Sequence, residues 1–468
     1  MTNWVEAQKW LELKKTGLNE QADQYFDQTL YPLVEEKFLA DAERMGVKGS
    51  YDMLIFPLGA RWHYPVLAIK AIQPKRAYFI CTPRIEEKTL GKVLEKSGLA
   101  PFQTKKDVVE YSGMDLEEVY AKVKGVVNKF PGDRIAVDLS RGKRVMTTGI
   151  GIAAAFCECD FTYIDEDWNF EINDGIPGTE RLVMVKNPFK HLGEIDRERA
   201  KELFNRGSFQ PAAEIYSKLS NQSPDPRESS AYELFCQAFS QWDLFNYRGA
   251  LFKLRETEGK ARQYSIKLPD LKRNFTALEE LAALQAQKEK FFEVIRQPRA
   301  CMRLVADAYA NSLRRAETDR FDDAVGRLYR AIELVSQHRL ALRGLDCATP
   351  DFDSLGVSGL QEAFAKATGE VYGQSKPLPG AVALADGHIL LLILQDEFWK
   401  GRQTSDLRKL VDELKARDHS MSAHGMRPVD QKDFLKLKNT AREFADKLFS
   451  INNANFDAML LEHSFPKI

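Results

Sequence analysis

Cysteine is scarce and scattered in this chain. There are six, at Cys81, Cys157, Cys159, Cys236, Cys301 and Cys347. None forms a CxxC pair, and no Cys/His set has zinc-ligand spacing. Several lie in apolar runs, so buried thiols in a reducing compartment are expected. Long apolar runs are also missing. No stretch approaches ~18 uncharged apolar residues, so no membrane span is expected. The opening MTNWVEAQKWLELKK lacks the apolar core of a signal peptide. The expected location is the cytoplasm. Charge of one sign is lacking as well. The net charge is −1, so bulk charge offers no pull toward nucleic acid, although a local basic site is compatible with it. No Walker A sequence occurs, and the first strand-to-helix turn lacks GxGxxG.

What is present is the profile of a globular protein: 468 residues, 44% hydrophobic and 29% charged. That length predicts two or three domains. Residues 1–48 read as a helical extension, with Trp4, Trp10, Leu11, Leu13, Tyr25, Phe26, Leu30 and Leu33 at roughly helical spacing. Residues 49–190 alternate strand and helix. YDMLIFP, AYFICTP, RIAVDLS and DFTYIDED are predicted strands, and LVMVKNP adds a last one. YPVLAIKAIQ, IEEKTLGKVLEKSG and the small-residue run VMTTGIGIAAAFCE are predicted helices. This is the alternation of a parallel α/β sheet covered on both faces. From 191 onward strands nearly vanish. We divide this part into a helical linker, 191–305, and a C-terminal helical domain, 306–468. Three segments pair an aromatic with an alanine three residues later: Phe209/Ala212, Tyr247/Ala250 and Phe321/Ala324. They predict tetratricopeptide-like helical hairpins rather than a regular array. HILLLILQDEFW reads as a buried helix or strand.

In open parallel sheets, ligands bind beyond the carboxyl ends of the strands. Three turns fall there. Gly59, Ala60 and Arg61 follow the first strand, and Thr82, Pro83 and Arg84 the second. Ser140, Arg141, Gly142, Lys143 and Arg144 follow RIAVDLS. The third turn offers a hydroxyl, a glycine and three cations where a helix begins, and a helix start favours anions. A phosphate-bearing ligand is expected at these turns. The GxG of TGIGIAAA lies inside a predicted helix and reads as close packing.

With these turns in place, LIFPLGARWHYPVLAIKAIQPKRAYFICTP and IAVDLSRGKRVMTTGIGIAAAF resemble a CARF domain, the Rossmann-like sensor of type III CRISPR defence. Gly59 matches the family's first-strand glycine turn. Asp138, Ser140, Gly142 and Arg144 match its Asp-x-Ser/Thr-x-Gly-x-Lys/Arg signature. The resemblance covers roughly residues 50–170. It implies a homodimer that binds cyclic oligoadenylate across its two-fold axis.

Near the end of the chain, the helical LRKLVDELKA gives way to RDHSMSAHG. Arg417 and His424 are seven positions apart. In a continuous helix they would share a face about 10 Å apart along the axis. Alternatively the helix breaks at Asp418–Ser420, good capping residues, and the pair closes up. A histidine near its ordinary pKa passes protons at neutral pH, and an arginine stabilises a charged phosphorane. The segment is similar to the HEPN ribonuclease motif Arg-x(4–6)-His, in which the residue after the arginine is usually polar; here it is Asp418. RFDDAVGRLYRAIELVSQ, 320–337, resembles the helix that precedes the catalytic one. A CARF domain followed by HEPN is the architecture of Csm/Csx-type ancillary ribonucleases. The resemblance implies single-stranded RNA as substrate, no metal or cofactor for catalysis, and Arg417, Asp418 and His424 at the active site. Cyclic oligoadenylate would be the allosteric activator. Two other readings stay open at this point: a non-catalytic sensor whose helical half binds a protein partner, and an enzyme that degrades the cyclic nucleotide in its α/β half. His63 and His388 read as structural or surface groups, His338 as a residue at a helix C-terminus.

Overall fold

The structure is a computed structural model that describes residues 5–108, 115–189, 193–418, 420 and 425–468. Two compact units divide at Ile195/Asp196. Among the described residues, no helix is long and apolar enough to cross a membrane.

The first unit is built on a six-stranded sheet. Its strands are β1 (Met53–Pro57), β2 (Arg76–Cys81), β3 (Thr104–Val108), β4 (Ile135–Asp138), β5 (Asp160–Asp165) and, after a short ribbon of β6 (Trp168–Asn169) and β7 (Asp174–Gly175), β8 (Arg181–Val185). The order is β3-β2-β1-β4-β5-β8, parallel except for β8. β1 and β4 are buried along their whole length because helices cover both faces. One face packs His63–Ile72 and Gly91–Ser97. The N-terminal helices join that same core through Trp10, Phe26, Tyr31 and Phe38. The other face packs Leu116–Lys129 and Arg144–Phe156. There Gly149 lies against Val119, where a Cβ would stand 3.1 Å from the valine side chain. This is the close packing expected for the small-residue helix.

Several local features differ from the sequence reading. The N-terminal helical stretch is three helices, Val5–Lys15, Asn19–Tyr25 and Tyr31–Met45, the last two joined by a π turn at Phe26–Leu30. The helix expected after β2 is interrupted by another π turn, Glu86–Leu90. β3, with the polar sequence TKKDV, was not anticipated.

The second unit is all-helical. Three of its hairpins share one turn. Gly207, Phe245 and Asp319 sit at φ +79°, +61° and +57°. The next amide bonds back five residues each time: Ser208 to Leu203, Asn246 to Gln241, Arg320 to Arg315, at 2.8 to 3.0 Å. This is the Schellman closure of the first helix. Phe209, Tyr247 and Phe321 then open the second helix. Ala212, Ala250 and Ala324, one turn later, are fully buried. The aromatic–alanine pairs therefore mark three hairpins. The apolar run at 384–393 is a helix, Leu384–Ile393, and it packs into the same core as Pro298–Ala316, Phe321–Leu342 and Gln431–Ile451.

Candidate functional site

The β1 and β4 turns meet at the carboxyl edge of the sheet. Gly142 has φ +121°, and a Cβ there would stand 2.8 Å from Pro57 Cβ. A Cβ on Gly59 would stand 3.1 Å from the Gly142 amide nitrogen. Only glycine lets the two turns lie against each other this closely. The β4 turn is also tied down from beneath. Asp138 accepts hydrogen bonds from Ser140 N, Ser140 Oγ and Thr162 Oγ1 at 3.0 to 3.1 Å, and Ser140 Oγ accepts from Ile164 N at 2.8 Å. Burial pushes the Asp138 carboxyl up to about 6, against those hydrogen bonds. The Ser140 hydroxyl was expected to face the ligand. It is buried and holds β4 to β5 instead.

Two of the expected ligand cations are already paired. Arg61 bonds Asp174 of the β6–β7 ribbon. Arg141 lies over the Tyr64 ring, 4.2 Å from its centroid, and bonds both the Tyr64 hydroxyl and Glu166. Tyr64 in turn donates to Glu166 at 2.6 Å. Arg141 Nε is buried with no hydrogen-bond partner among the described residues. Arg84 and Arg144 stand exposed, Ala60 and Pro83 with them, and Gly59, Gly142 and Lys143 are half-buried. Thr82 is buried and precedes the short helix Pro83–Ile85. The ribbon that brings Asp174 to Arg61 was missed. Its turn, 170–173, ends on Asn173 at φ +51°, a residue type that tolerates the left-handed conformation. His63, enclosed by Phe26, Trp62 and Tyr64, is held neutral by burial and by Arg61, Arg141 and Lys92.

In the second unit, the helix Thr404–Asp418 ends at Asp418. The break, not the continuous helix, is what the chain adopts. Ser420 N donates to Arg417 O at 3.0 Å, and Gly425 N to Ser420 O at 3.0 Å. Arg417 is thus a last-turn residue of that helix. Its guanidinium carbon lies 4.3 Å from the ring centroid of Tyr329, on the Phe321–Leu342 helix. Tyr329 sits in the segment singled out from sequence but was not itself named. Arg427 bonds Asp433 at 2.9 Å. His424 and the Asp418 side chain lie outside the described residues.

The remaining histidines described are structural. His388 is fully buried; its Nδ1 accepts from Trp399 Nε1 at 3.1 Å and its Nε2 faces Ile332 O at 3.3 Å. Burial holds it down to about 3. His338 is not at a helix end. It lies within Phe321–Leu342, with Nδ1 2.6 Å from Ile295 O. His463 is buried, 3.0 Å from Asp307.

An open sheet with glycine-lined turns at its carboxyl edge, followed by a helical half with an arginine in the last turn of a helix, has the architecture of the CARF–HEPN class of type III CRISPR ancillary proteins. The helical half narrows this further. Residues 192–288 match the Csm6 6H domain and residues 294–448 the Csm6 HEPN domain. The two matches run over more than half of the chain, which belongs to the Csm6 family. A relative, the CRISPR system endoribonuclease Csm6 of Thermus thermophilus, is 26% identical over 427 residues, 89% of either chain. Among solved structures, Enterococcus italicus Csm6 bound to cyclic hexa-2'-fluoro-hexa-dAMP aligns over 88% of this chain and 98% of its own, with TM-score 0.48 and 11% identity. Can2 from Sulfobacillus thermosulfidooxidans in complex with cyclic tetra-adenylate (cA4) aligns over 67% and 72%, with TM-score 0.23 and 11% identity.

Proposed function

We propose that this protein is an endoribonuclease of type III CRISPR antiviral defence, switched on by cyclic oligoadenylate and cutting single-stranded RNA without a metal. The observation that carries the reading is the position of Arg417. It falls within the HEPN match, at the end of a helix, stacked on Tyr329.

The chemistry needs few groups. The RNA 2′-oxygen attacks the adjacent phosphorus as His424 of one copy takes its proton. Arg417 bears the charge on the phosphorane oxygens, and the P–O5′ bond breaks as the 5′-oxygen takes a proton from water. The products are a 2′,3′-cyclic phosphate and a 5′-hydroxyl. Asp418, next to the arginine, completes the motif. A second copy supplies another Arg417 and His424, so one cleft is built by two protomers. Support for a homodimer comes from the Arg144–Phe156 helix, which leaves Val145, Ile152 and Phe156 exposed in one stripe. The protein is cytoplasmic in this reading.

The cyclic nucleotide sits at the turns around Gly59 and Gly142, where backbone can come close to it. Arg84, Lys143 and Arg144 meet its phosphates. Arg61 and Arg141 shape the cradle through Asp174 and Glu166, and the binding energy shifts the dimer toward its cutting state. The test is a fluorescent single-stranded RNA incubated with chelator, with and without cyclic tetra- or hexa-adenylate. Cleavage that needs a ring and is lost in His424→Ala supports the reading. Ring binding without cleavage would leave a sensor that recruits a partner. Loss of the ring in a His424→Ala protein would show a nucleotide-degrading activity in the α/β unit.

A further inference from the structure

A cavity of about 230 Å³ opens where the 6H and HEPN segments meet, bounded by Phe245, Phe291, Gly326, Arg327, Arg330 and Leu334. It is smaller than the ~300 Å³ at which drug-sized pockets begin, and suits one flat ring system. Its two sides are alike. Arg327 lies 4.9 Å from the Phe245 ring centroid, and Arg330 lies 5.5 Å from that of Phe291. Arg327 is steadied by Asn311 at 3.3 Å, and Arg330 by an ion pair with Glu333 and by Gln337 at 3.0 Å. Residue 329, between them, is the tyrosine that carries Arg417. Three arginine–aromatic pairs therefore share one helix, and the pair at Tyr329 is the candidate active site.

The floor of the slot is a glycine in mid-helix. Gly326 is the sixth residue of Phe321–Leu342, where glycine is among the worst helix formers. Packing does not demand it: among the described residues, nothing beyond its chain neighbours and the helix's own backbone lies within 4 Å of where its Cβ would stand. What the missing side chain does is keep the slot open. Aromatic faces beside guanidinium groups are the chemistry that holds single-stranded nucleic acid, with bases stacked and phosphates paired. Tyr329, which carries Arg417, lies on the helix that also lines this slot.

We infer that the slot is a base-binding subsite. An unpaired nucleobase of the substrate RNA enters between Phe245 and Phe291 over Gly326, and Arg327 and Arg330 hold its flanking phosphates. The inference rests on the ribonuclease reading and adds a substrate contact to it. The test uses the full chain with its activating ring and a short fluorescent RNA. Gly326→Leu fills the slot. The expected result is a KM raised roughly tenfold in Gly326→Leu, with kcat within about twofold. A single abasic site moved along the RNA should cost the wild type a similar factor at one position, and cost Gly326→Leu nothing there. If Gly326→Leu fails to fold by thermal melting, Phe291→Ala, at a side chain 38% exposed, takes its place. An unchanged KM with no sensitive position, in a wild type that cuts, overturns the subsite alone. A wild type that cuts nothing with any ring removes the ribonuclease reading and the subsite with it.

Discussion

Arg417 owes its position to two things that act at short range, the helix end at Asp418 and the Tyr329 ring beneath it. A cation over an aromatic face contributes ~0.5–2 kcal/mol. Tyr329→Leu should therefore lower single-turnover cleavage by about 3- to 30-fold at saturating ring, and Tyr329→Phe should restore most of it. Equal losses in both would mean that the hydroxyl, not the ring face, positions the arginine. His388 gives a prediction of another kind. Its folded pKa of about 3 lies below the ordinary ~6.5. A depressed histidine contributes stability above pH 6.5 that is lost as pH falls toward 3. The loss is ~1.4 kcal/mol per unit, so between pH 7 and 5 this group should cost roughly 2 kcal/mol. Denaturant melts of wild type and His388→Gln should differ by that slope, and parallel slopes would contradict it. His63, His338 and His463 are shifted in the same direction and steepen the wild-type curve.

At the scale of elements, two turns can be tested directly. Gly142→Ala must place a Cβ 2.8 Å from Pro57 at φ +121°. The β4 turn should move, and the ring concentration for half-activation should rise at least about tenfold. An unchanged activation curve would show that ring binding does not use this turn. Asp319 holds a left-handed conformation at a Schellman closure, where glycine has no steric cost. Asp319→Gly should raise stability by ~0.5–1 kcal/mol in denaturant melts, the relief of left-handed strain (~1–2 kcal/mol) exceeding glycine's extra entropy loss (~0.5–1 kcal/mol), and a loss would mean that the aspartate side chain matters there. The same elements show what could be read from sequence. The glycine turns and the aromatic–alanine hairpins are local signals, and the chain forms both. The Arg-x6-His spacing is local too, and its arginine ends a helix. The ion pairs were not legible, because Arg61 and Asp174 lie 113 residues apart and Arg141 and Glu166 lie 25 apart. Three-dimensional neighbours of that kind give carboxylate partners to two cations that the sequence reading had aimed at a ligand. β3 escaped notice because an edge strand with Lys105 and Lys106 looks like a surface loop; charge there discourages edge-to-edge pairing. The run HILLLILQDEFW was ambiguous because 389–394 is apolar at every position, which hides its period.

For the whole molecule, a sensor of cyclic nucleotide and a nuclease share one chain, and the account stands on their coupling. A ligand moves a two-state equilibrium only by its difference in affinity for the two states. The RNA cut should therefore be slow without ring and rise steeply with it, while the His424→Ala protein binds ring normally and stays silent. The measurement to make first is the initial rate on a fluorescent single-stranded RNA in the presence of chelator, across a titration of cyclic tetra- and hexa-adenylate, for wild type and His424→Ala. The account predicts a saturable rise with one ring size, a 2′,3′-cyclic phosphate on the product, and no rate in the variant. An equal rate in wild type and His424→Ala, or cleavage that chelator abolishes, would contradict it.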